Sequence, residues 1–252
     1  MSAPDPRRYG DAWADSYDTW FAGLDDTAPA VAVLSELAGG ATALEVGAGT
    51  GRLAIPLAAT GVPVIAVEAS PRMADRLRSK IGDLPVTLVV DDILGAAWPT
   101  LVPPDGLALA YLSCNTLYQI PSQHAQTDCL RALAHRLATG GQLVVEASVP
   151  SLQLLQTGGH TSMRVMGDGR VAISTVSADA ATQTLHTDTV VLGHDRPQVL
   201  PVHERYVWPS ELDLMAKLAG LSLADRFSGW ERHPFTRAAT GHISIYRSAA
   251  CS

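Results

Sequence analysis

The sequence has few cysteines, few charged residues and no long apolar run, and each of these shortages excludes a class of protein. Of its 252 residues only 3 are cysteines, too few and too odd in number for a disulfide framework. No apolar run approaches membrane-spanning length, and polar residues follow Arg7 and Arg8 where a signal peptide would need an apolar stretch. We therefore expect a cytoplasmic protein with no membrane partner.

Charged residues are also scarce, at 17%, and the net charge of −7 argues against a nucleic-acid partner. The longest basic run lies between Arg72 and Lys80 on one predicted helix, where we expect a solvated face. No His or Cys pair has the spacing of metal ligands, so we predict no metal site. With 47% hydrophobic residues, the chain suits one large α/β domain, with or without a modest insertion.

The most informative stretch is rich in glycine: residues 43–53 read ALEVGAGTGRL. An apolar strand runs into a Gly-x-Gly-x-Gly turn, and a helix follows. A dinucleotide fingerprint needs its third glycine one position later, where Arg52 stands, and a phosphate-binding P-loop needs Gly-Lys-Ser/Thr. What remains is a turn suited to a nucleoside without phosphates.

Two further strands end in acidic residues. Glu68 follows an apolar strand about 20 residues after the glycines, where a carboxylate can accept both ribose hydroxyls. The strand over residues 88–90 ends at Asp91 and Asp92. Three motifs in this order indicate a nucleoside-binding β-α-β arrangement.

In these three motifs the chain resembles the class I S-adenosylmethionine (SAM) methyltransferase family. The resemblance implies SAM as cofactor and S-adenosylhomocysteine as product. It assigns the adenine contact to Asp92, with Asp91 in the family's glycine slot, although the choice between them stays open. The implied cofactor-binding residues are Tyr17, Trp20, Glu45, Gly47, Ala48, Gly49, Gly51, Arg52, Glu68, Ala69, Asp91, Asp92, Ile93, Leu112 and Ser113.

The resemblance, with strands and helices alternating over residues 41–150, predicts an α/β fold with a Rossmann-like, doubly wound, seven-stranded sheet. Residues 1–40 are predicted to form an N-terminal lid segment. Residues 160–208 read as an antiparallel β insertion after the fifth strand, covering the substrate site, and residues 209–252 as the final helix and edge hairpin.

Serines mark two predicted helix starts. Ser122 is expected to cap a helix whose leucines recur through Leu137, and Ser210 to cap a helix over residues 211–219.

The aromatic segment 9–21 has two interpretations. By the resemblance it folds over the cofactor, with Tyr17 near the methionine end of SAM. Alternatively, Trp13, Tyr17 and Trp20 recur at near-helical spacing simply to dock the segment on the core.

A sulfonium methyl is transferred by in-line displacement, so positioning supplies much of the acceleration, and a base is needed only for a protonated acceptor. The candidate bases are His203, Glu204 and Tyr206 on the last insertion strand, and His124 near the fourth strand. Each could instead be a surface or hydrogen-bonded residue. Alternation puts Glu204 and Tyr206 on one strand face with Val202, and His203 on the other with Arg205.

The family's nucleic-acid members carry Asn/Asp-Pro-Pro-Tyr/Phe after the fourth strand, whereas this chain reads SCNT over residues 113–116. We expect Asn115, Tyr118 and Trp208 to face a small-molecule acceptor instead. The resemblance favours natural-product and amino-sugar N-methyltransferases, acting at N, O or C of a specialised metabolite as a monomer or homodimer. Two alternatives stay open: a SAM-binding enzyme that catalyses cyclisation without methyl transfer, and a degenerate SAM-binding regulatory partner.

Overall fold

The computed structural model describes residues 5, 7–21, 26–193 and 196–248, so the predicted lid and C-terminal segments are described in part. The helices are α1 (Arg8–Trp13), α2 (Tyr17–Phe21), α3 (Thr27–Ala38), α4 (Ala54–Ala59), α5 (Pro71–Ile81), α6 (Thr116–Gln119), α7 (Gln123–Ala134), α8 (Leu152–Thr157) and α9 (Pro209–Leu218). The strands are β1 (Ala43–Val46), β2 (Val64–Glu68), β3 (Val86–Val90), β4 (Leu107–Leu112), β5 (Leu137–Ser148), β6 (Gly159–Val165), β7 (Val171–Asp179), β8 (Thr184–Leu192), β9 (Gln198–Arg205), β10 (Leu221–Phe227) and β11 (Gly241–Ser248).

Seven strands form the main sheet in the order β10-β11-β5-β4-β1-β2-β3. Strands β1 to β5 are parallel, while β11 runs antiparallel to both β5 and β10. The strand order reverses between β1 and β4, and ligands of open α/β sheets bind at that point, outside the carboxyl ends of the strands. The predicted α/β fold class and edge hairpin are confirmed.

Both faces of this sheet are covered, which explains why its parallel strands read as nearly continuous apolar runs. Every residue of β1 and β2 is buried. On one face Leu44 packs with Leu130 and Leu133 of α7, and on the other Ala43 packs with Leu34 of α3. Because helices cover its two faces, the sheet is open to a ligand at the edge formed by the carboxyl ends of its parallel strands.

Strands β6 to β9 form a second, antiparallel sheet between β5 and α9. Each strand pairs with the next along the chain, for example Thr175 with Asp188 and His186 with His203. This is the antiparallel β insertion that the turn residues of the sequence predict after the fifth strand.

Two helix boundaries differ from the predictions. The Ser122 hydroxyl accepts the Ala125 N–H at 3.1 Å and caps α7, as predicted, but the helix ends at Ala134 and Leu137 begins β5. Helix α9 begins at Pro209, one residue before the predicted Ser210 cap, because proline is favoured in a first turn that needs no N–H donor. Among the described residues, no helix is both long and apolar enough to cross a membrane.

Candidate functional site

The glycine-rich turn lies between β1 and α4, at the sheet edge where the strand order reverses. Gly47, Gly49 and Gly51 take φ angles of 67°, 57° and 91°, which side chains disfavour. A Cβ at Gly47 would lie 2.7 Å from Thr116 Cγ2, whereas one at Gly49 would meet only Tyr17 Cζ, at 3.9 Å. Gly47 therefore permits close packing, while Gly49 borders open space.

Glu68 ends β2 and ties this turn to the next helix. Its carboxylate accepts the Gly49 N–H and the Ser70 N–H, each at 2.8 Å. Burial raises the pKa of Glu68, and these two hydrogen bonds oppose the rise by stabilising the charge. The carboxylate thus lies beside the open face of the turn, where the sequence predicts the ribose contact.

Glu45 lies inside β1, where its side chain is buried. Its carboxyl accepts the Tyr111 hydroxyl at 3.0 Å. Burial raises the pKa of Glu45 to about 8, so the group is largely protonated at neutral pH. Glu45 therefore contributes a polar but largely uncharged side chain to the site.

The two acids at the end of β3 have different partners. The Asp91 carboxylate accepts the Asp92 N–H at 2.9 Å and the Ala97 N–H at 3.0 Å. Asp92 accepts the Leu94 N–H at 2.7 Å through Oδ1, and no other hydrogen bond to its side chain occurs among the described residues. Asp91 therefore orders the loop after β3, while Asp92 keeps one oxygen for a ligand.

These contacts predict different phenotypes for the two acids. Asp92→Ala should weaken S-adenosylhomocysteine binding about tenfold, because Asp92 is the predicted adenine contact, and should destabilise the fold less than Asp91→Ala, because only the Leu94 N–H loses its acceptor. Asp91→Ala should lower the free energy of unfolding by roughly 1–3 kcal/mol, because two backbone N–H groups lose their acceptor. Calorimetry and thermal unfolding of both variants check this; a loss of affinity in Asp91→Ala alone would reverse the assignment.

Acidic side chains dock the N-terminal segment (α1 and α2) on the core. The bonds join Asp11 to Ser70, Asp15 to Arg72 and Arg76, and Asp18 to Lys80 and Thr50, at 2.5 to 2.6 Å. The prediction that the basic run forms only a solvated face is therefore wrong for Arg72, Arg76 and Lys80. These residues recur every four positions, so they lie on one side of α5, facing the segment. Arg78 instead pairs with Asp75 on the same helix.

Asp18→Asn should weaken SAM binding about two- to fivefold, because a partly exposed ion pair contributes little by itself. The difference from the parent should shrink between about 0.05 and 0.5 M salt, since ions screen the lost attraction. Asp75→Asn is the matched control, because it removes an ion pair of α5 that does not touch the segment. Equal calorimetric affinities for the two variants would contradict a role for this docking in cofactor retention.

A cavity of about 350 Å³, the glycine-loop cavity, lies between the turn, the ends of β2 to β4 and the N-terminal segment. Most of the predicted cofactor residues line it: Tyr17, Glu45, Gly47, Ala48, Gly49, Arg52, Glu68, Ala69, Asp91, Asp92, Ile93 and Ser113. Trp20, Gly51 and Leu112 do not. Trp20 lines a second cavity, a Cβ at Gly51 would lie 2.5 Å from a leucine of α5, and Leu112 is fully buried.

Arg52 is the only Arg or Lys among the described residues that line the glycine-loop cavity. Its guanidinium donates to Asp26 Oδ1 at 2.9 Å and lies 2.9 Å from Cys114 Sγ. Guanidinium groups bind carboxylates through paired N–H donors. Arg52 is therefore suited to the carboxylate end of a ligand.

Several residues that line this cavity are not predicted from the sequence, notably Tyr9, Gly10, Met73, Thr116, Gln119 and Ile120. Tyr9 belongs to the aromatic segment 9–21, and that enrichment in aromatic residues is the sequence feature that could have identified Tyr9 as a lining residue. Gly10 allows that segment to approach α5, since a Cβ there would lie 2.4 Å from Ser70 Cβ. The others carry no local pattern that marks a ligand contact.

A second cavity of about 580 Å³, the lid cavity, lies between the N-terminal segment, the insertion sheet and the ends of β5 and β11. The aromatic residues Tyr9, Trp13, Tyr17, Trp20 and Phe21 line it. Trp13 also docks on the insertion, donating from Nε1 to the Pro201 carbonyl at 3.3 Å. The segment therefore packs on the core, as the docking interpretation expects, and it also faces a cavity; that it folds over the cofactor stays a prediction.

The two cavities share part of their walls. Tyr9, Tyr17, Cys114 and Gln119 line both of them. Burial raises the pKa of the Cys114 thiol to about 11, so the thiol is neutral at the junction. A group passing between the cavities would meet phenol, amide and thiol side chains, none of them charged at neutral pH.

Glu204 is the predicted base that lines the lid cavity, together with Val202. Burial raises the pKa of Glu204 to about 7, and a hydrogen bond from Asn115 opposes the rise. Asn115 lines the same cavity and accepts the Ser148 N–H at 2.8 Å through Oδ1. Of the candidate bases, Glu204 thus combines access to the cavity with a pKa near neutrality.

The other candidates lie elsewhere. His203 pairs with His186 across β8 and β9 and lines a separate side pocket, and burial and His186 lower its pKa. Tyr206 is buried and stacks edge-on against Trp208, outside the cavity linings. His124 is 88% exposed and pairs with an aspartate of α7.

Two predicted acceptor contacts also lie outside the cavity linings. The Tyr118 hydroxyl lies 2.6 Å from the Ser148 carbonyl oxygen and 2.9 Å from that of Val207, so it joins β5 to the segment before α9. Trp208 caps α9 and packs against the core. Among the described residues, no three His, Cys, Asp or Glu side chains come together as metal ligands.

The chain is similar over most of its length to methyltransferases. The family model described as a methyltransferase domain matches residues 43–141. The CcbJ methyltransferase of Streptomyces caelestis is 35% identical, with a TM-score of 0.90, covering 98% of this chain and 100% of that one. The cypemycin N-terminal methyltransferase of a Streptomyces species is 28% identical over 238 residues, covering 92% of this chain and 94% of the relative.

A more distant structure shares the fold. SAM-bound CalS10, an amino pentose methyltransferase from Micromonospora echinaspora, has a TM-score of 0.67 at 18% identity, covering 92% of this chain and 96% of that one. The glycine turn and the similarity to the CcbJ methyltransferase, at 35% identity over 98% of this chain, both assign the chain to the SAM-dependent methyltransferases. This chain belongs to the class I SAM-dependent methyltransferases.

Proposed function

We propose that this chain transfers the methyl group of SAM to an amine nitrogen of a small-molecule acceptor seated in the lid cavity. The observation that carries the proposal is Glu204, a half-buried carboxyl in the wall of that cavity, whose pKa burial raises to about 7. A carboxylate there can accept a proton from an ammonium group and leave the nitrogen free to react. The name of a structural relative, an amino pentose methyltransferase, supports a small-molecule acceptor.

The residues of the glycine-loop cavity fit the proposed cofactor. Gly49 provides a bare backbone that a Cβ would obstruct, Glu68 and Asp92 offer acceptors for ribose hydroxyls and the adenine amino group, and Arg52 offers donors for a carboxylate. The volume of about 350 Å³ falls within the range of small-molecule sites. When bound, SAM supplies an electrophilic methyl group on a positively charged sulfur.

The chain's own residues then align the acceptor and keep water out. Tyr9 and Tyr17 border both cavities, so they lie where cofactor and acceptor must meet. Holding two reactants in a productive geometry contributes much of the acceleration in such a displacement. The uncharged junction suits a reaction in which the sulfur loses its positive charge.

Nitrogen is favoured over an aliphatic hydroxyl by the strength of the base. A carboxylate whose pKa is about 7 deprotonates an ammonium group far more readily than an alcohol. The names of two relatives agree with this choice, since one is an N-terminal methyltransferase and another acts on an amino pentose.

The test is transfer of isotope-labelled methyl from SAM into a Streptomyces metabolite extract. A matched sample of the extract is treated beforehand with an amine-selective acetylating reagent. We expect label in a discrete small molecule from the untreated extract and none from the acetylated one. Equal labelling of both samples would contradict an amine acceptor, and SAM binding without any label would favour the cyclisation alternative.

A further inference from the structure

His242 is a buried histidine of the lid cavity that the proposed chemistry leaves unused. It is the second residue of β11, is 1% exposed and lines the cavity wall together with Ser148, Ser228 and Thr240. Among the described residues, its Nε2 is shielded from solvent and has no hydrogen-bond partner. A buried polar atom without a partner is unfavourable and is rare in native proteins unless a ligand or water completes it.

Hydrogen bonds on the other side of the ring favour one position for its proton. His242 Nδ1 lies 2.8 Å from Ser244 Oγ, and Arg226 Nε donates to the same oxygen at 2.7 Å. Arginine can only donate, so Ser244 Oγ accepts from Arg226 and keeps its own proton, which it can donate to His242 Nδ1. In this arrangement the neutral imidazole carries its hydrogen on Nε2.

Two further contacts hold this arrangement in place. The Asp213 carboxylate binds the Arg226 guanidinium at 2.5 Å, which fixes the donor to Ser244. Burial lowers the pKa of His242 to about 4, and the neighbouring Arg226 charge acts in the same direction, so the ring is neutral at pH 7. His242 Nε2–H is therefore an uncharged donor without a protein acceptor.

We propose that His242 is a specificity-determining residue that donates a hydrogen bond from Nε2 to a carbonyl or carboxylate oxygen of the acceptor. The inference rests on the proposed function, since it concerns the molecule that fills the lid cavity. The lid cavity then has an aromatic wall, supplied by the N-terminal segment, and a polar wall around His242. Because Nε2 is shielded, the side chains around it must shift slightly when the ligand oxygen reaches it.

The first test needs no turnover. Protein labelled with ¹⁵N-histidine and loaded with S-adenosylhomocysteine is titrated with acetamide, a probe with a carbonyl oxygen and no basic amine, and with ethylammonium chloride as the control. His242→Phe identifies the resonance of residue 242. We expect the Nε2–H tautomer and a shift of this resonance with acetamide only. A proton on Nδ1, or an unmoved resonance with acetamide, would overturn the proposal.

The second test uses the acceptor that becomes labelled in the extract. His242→Phe keeps the ring shape and removes the donor, whereas the amide of His242→Gln can restore a donor near the Nε2 position. We expect KM for the acceptor to rise about tenfold in His242→Phe, with SAM affinity unchanged and partial recovery in His242→Gln. Equal KM values for His242→Phe and the parent would refute the role of His242. If no acceptor is labelled, the proposed function fails, and the acetamide titration still decides the donor.

Discussion

Gly49→Val is expected to abolish detectable SAM binding, a loss of at least about 100-fold, while the chain remains folded. A Cβ added at Gly49 would lie 3.9 Å from Tyr17 Cζ and would meet no other atom within 4 Å. The valine side chain would therefore fill the open space beside the turn. Glycine is the only residue that leaves this part of the turn bare for a ligand. Calorimetry with SAM and S-adenosylhomocysteine measures the loss.

The control for this variant must reproduce its backbone strain. Gly39 has the same φ of 57° as Gly49, and a Cβ there would meet nothing within 4 Å. It ends α3, away from both cavities. Gly39→Val should therefore destabilise the fold as a valine at positive φ does, but bind SAM like the parent. Parental affinity in Gly49→Val would refute the assignment of the turn.

Glu204→Gln is expected to lower kcat about 10²- to 10⁴-fold, the usual contribution of a general base, without changing SAM affinity. The substitution keeps the size of the side chain and removes its ability to take a proton. Glu231→Gln is the matched control, because Glu231 has a 73% exposed side chain. Steady-state kinetics of both variants would show whether the loss belongs to Glu204 alone.

The pH dependence gives an independent check on Glu204. Its pKa in the folded protein is raised from 4.5 to about 7, so the fraction in the carboxylate form grows as pH rises through that value. A base acts in its ionised form, and the rate of the parent should therefore rise between about pH 6 and pH 8 and then level off. Glu204→Gln should lack this inflection. A parental profile that is flat over this range would exclude Glu204 as the base.

The part of the site that sequence could predict is the part encoded locally. The glycine turn, Glu68 and the acids after β3 each follow a recognisable strand, and their common edge follows from the parallel sheet. Strand alternation also put Val202 and Glu204 on one face of β9: both line the lid cavity and His203 does not, although Glu204 also borders the side pocket that His203 lines.

The parts that sequence could not predict depend on contacts between distant segments. Asp15 and Asp18 lie far along the chain from the basic residues of α5 that they bind, and no local pattern joins them. Gln119 lines both cavities only because the N-terminal segment folds back over the sheet. His242 gains its role from a network that links β10, β11 and α9, which periodicity alone does not reveal.

The differences between the predicted and observed ends of α7 and β9 have a similar origin. Leucine spacing predicts a helix through Leu137, but that residue pairs with Leu107 at the start of β5. Tyr206 was assigned to the cavity face of β9, yet the strand ends at Arg205, whose side chain binds Glu211 at 2.7 Å. Pairing and burial outweighed local propensity at both places.

The most direct test of the account is turnover with methyl-¹³C SAM, followed by NMR of the purified product. We predict that the labelled carbon is bonded to nitrogen and that S-adenosylhomocysteine forms in equal amount. A labelled carbon on oxygen or carbon would contradict the amine acceptor and the role of Glu204 as its base. Conversion of the acceptor with SAM left intact would contradict methyl transfer itself.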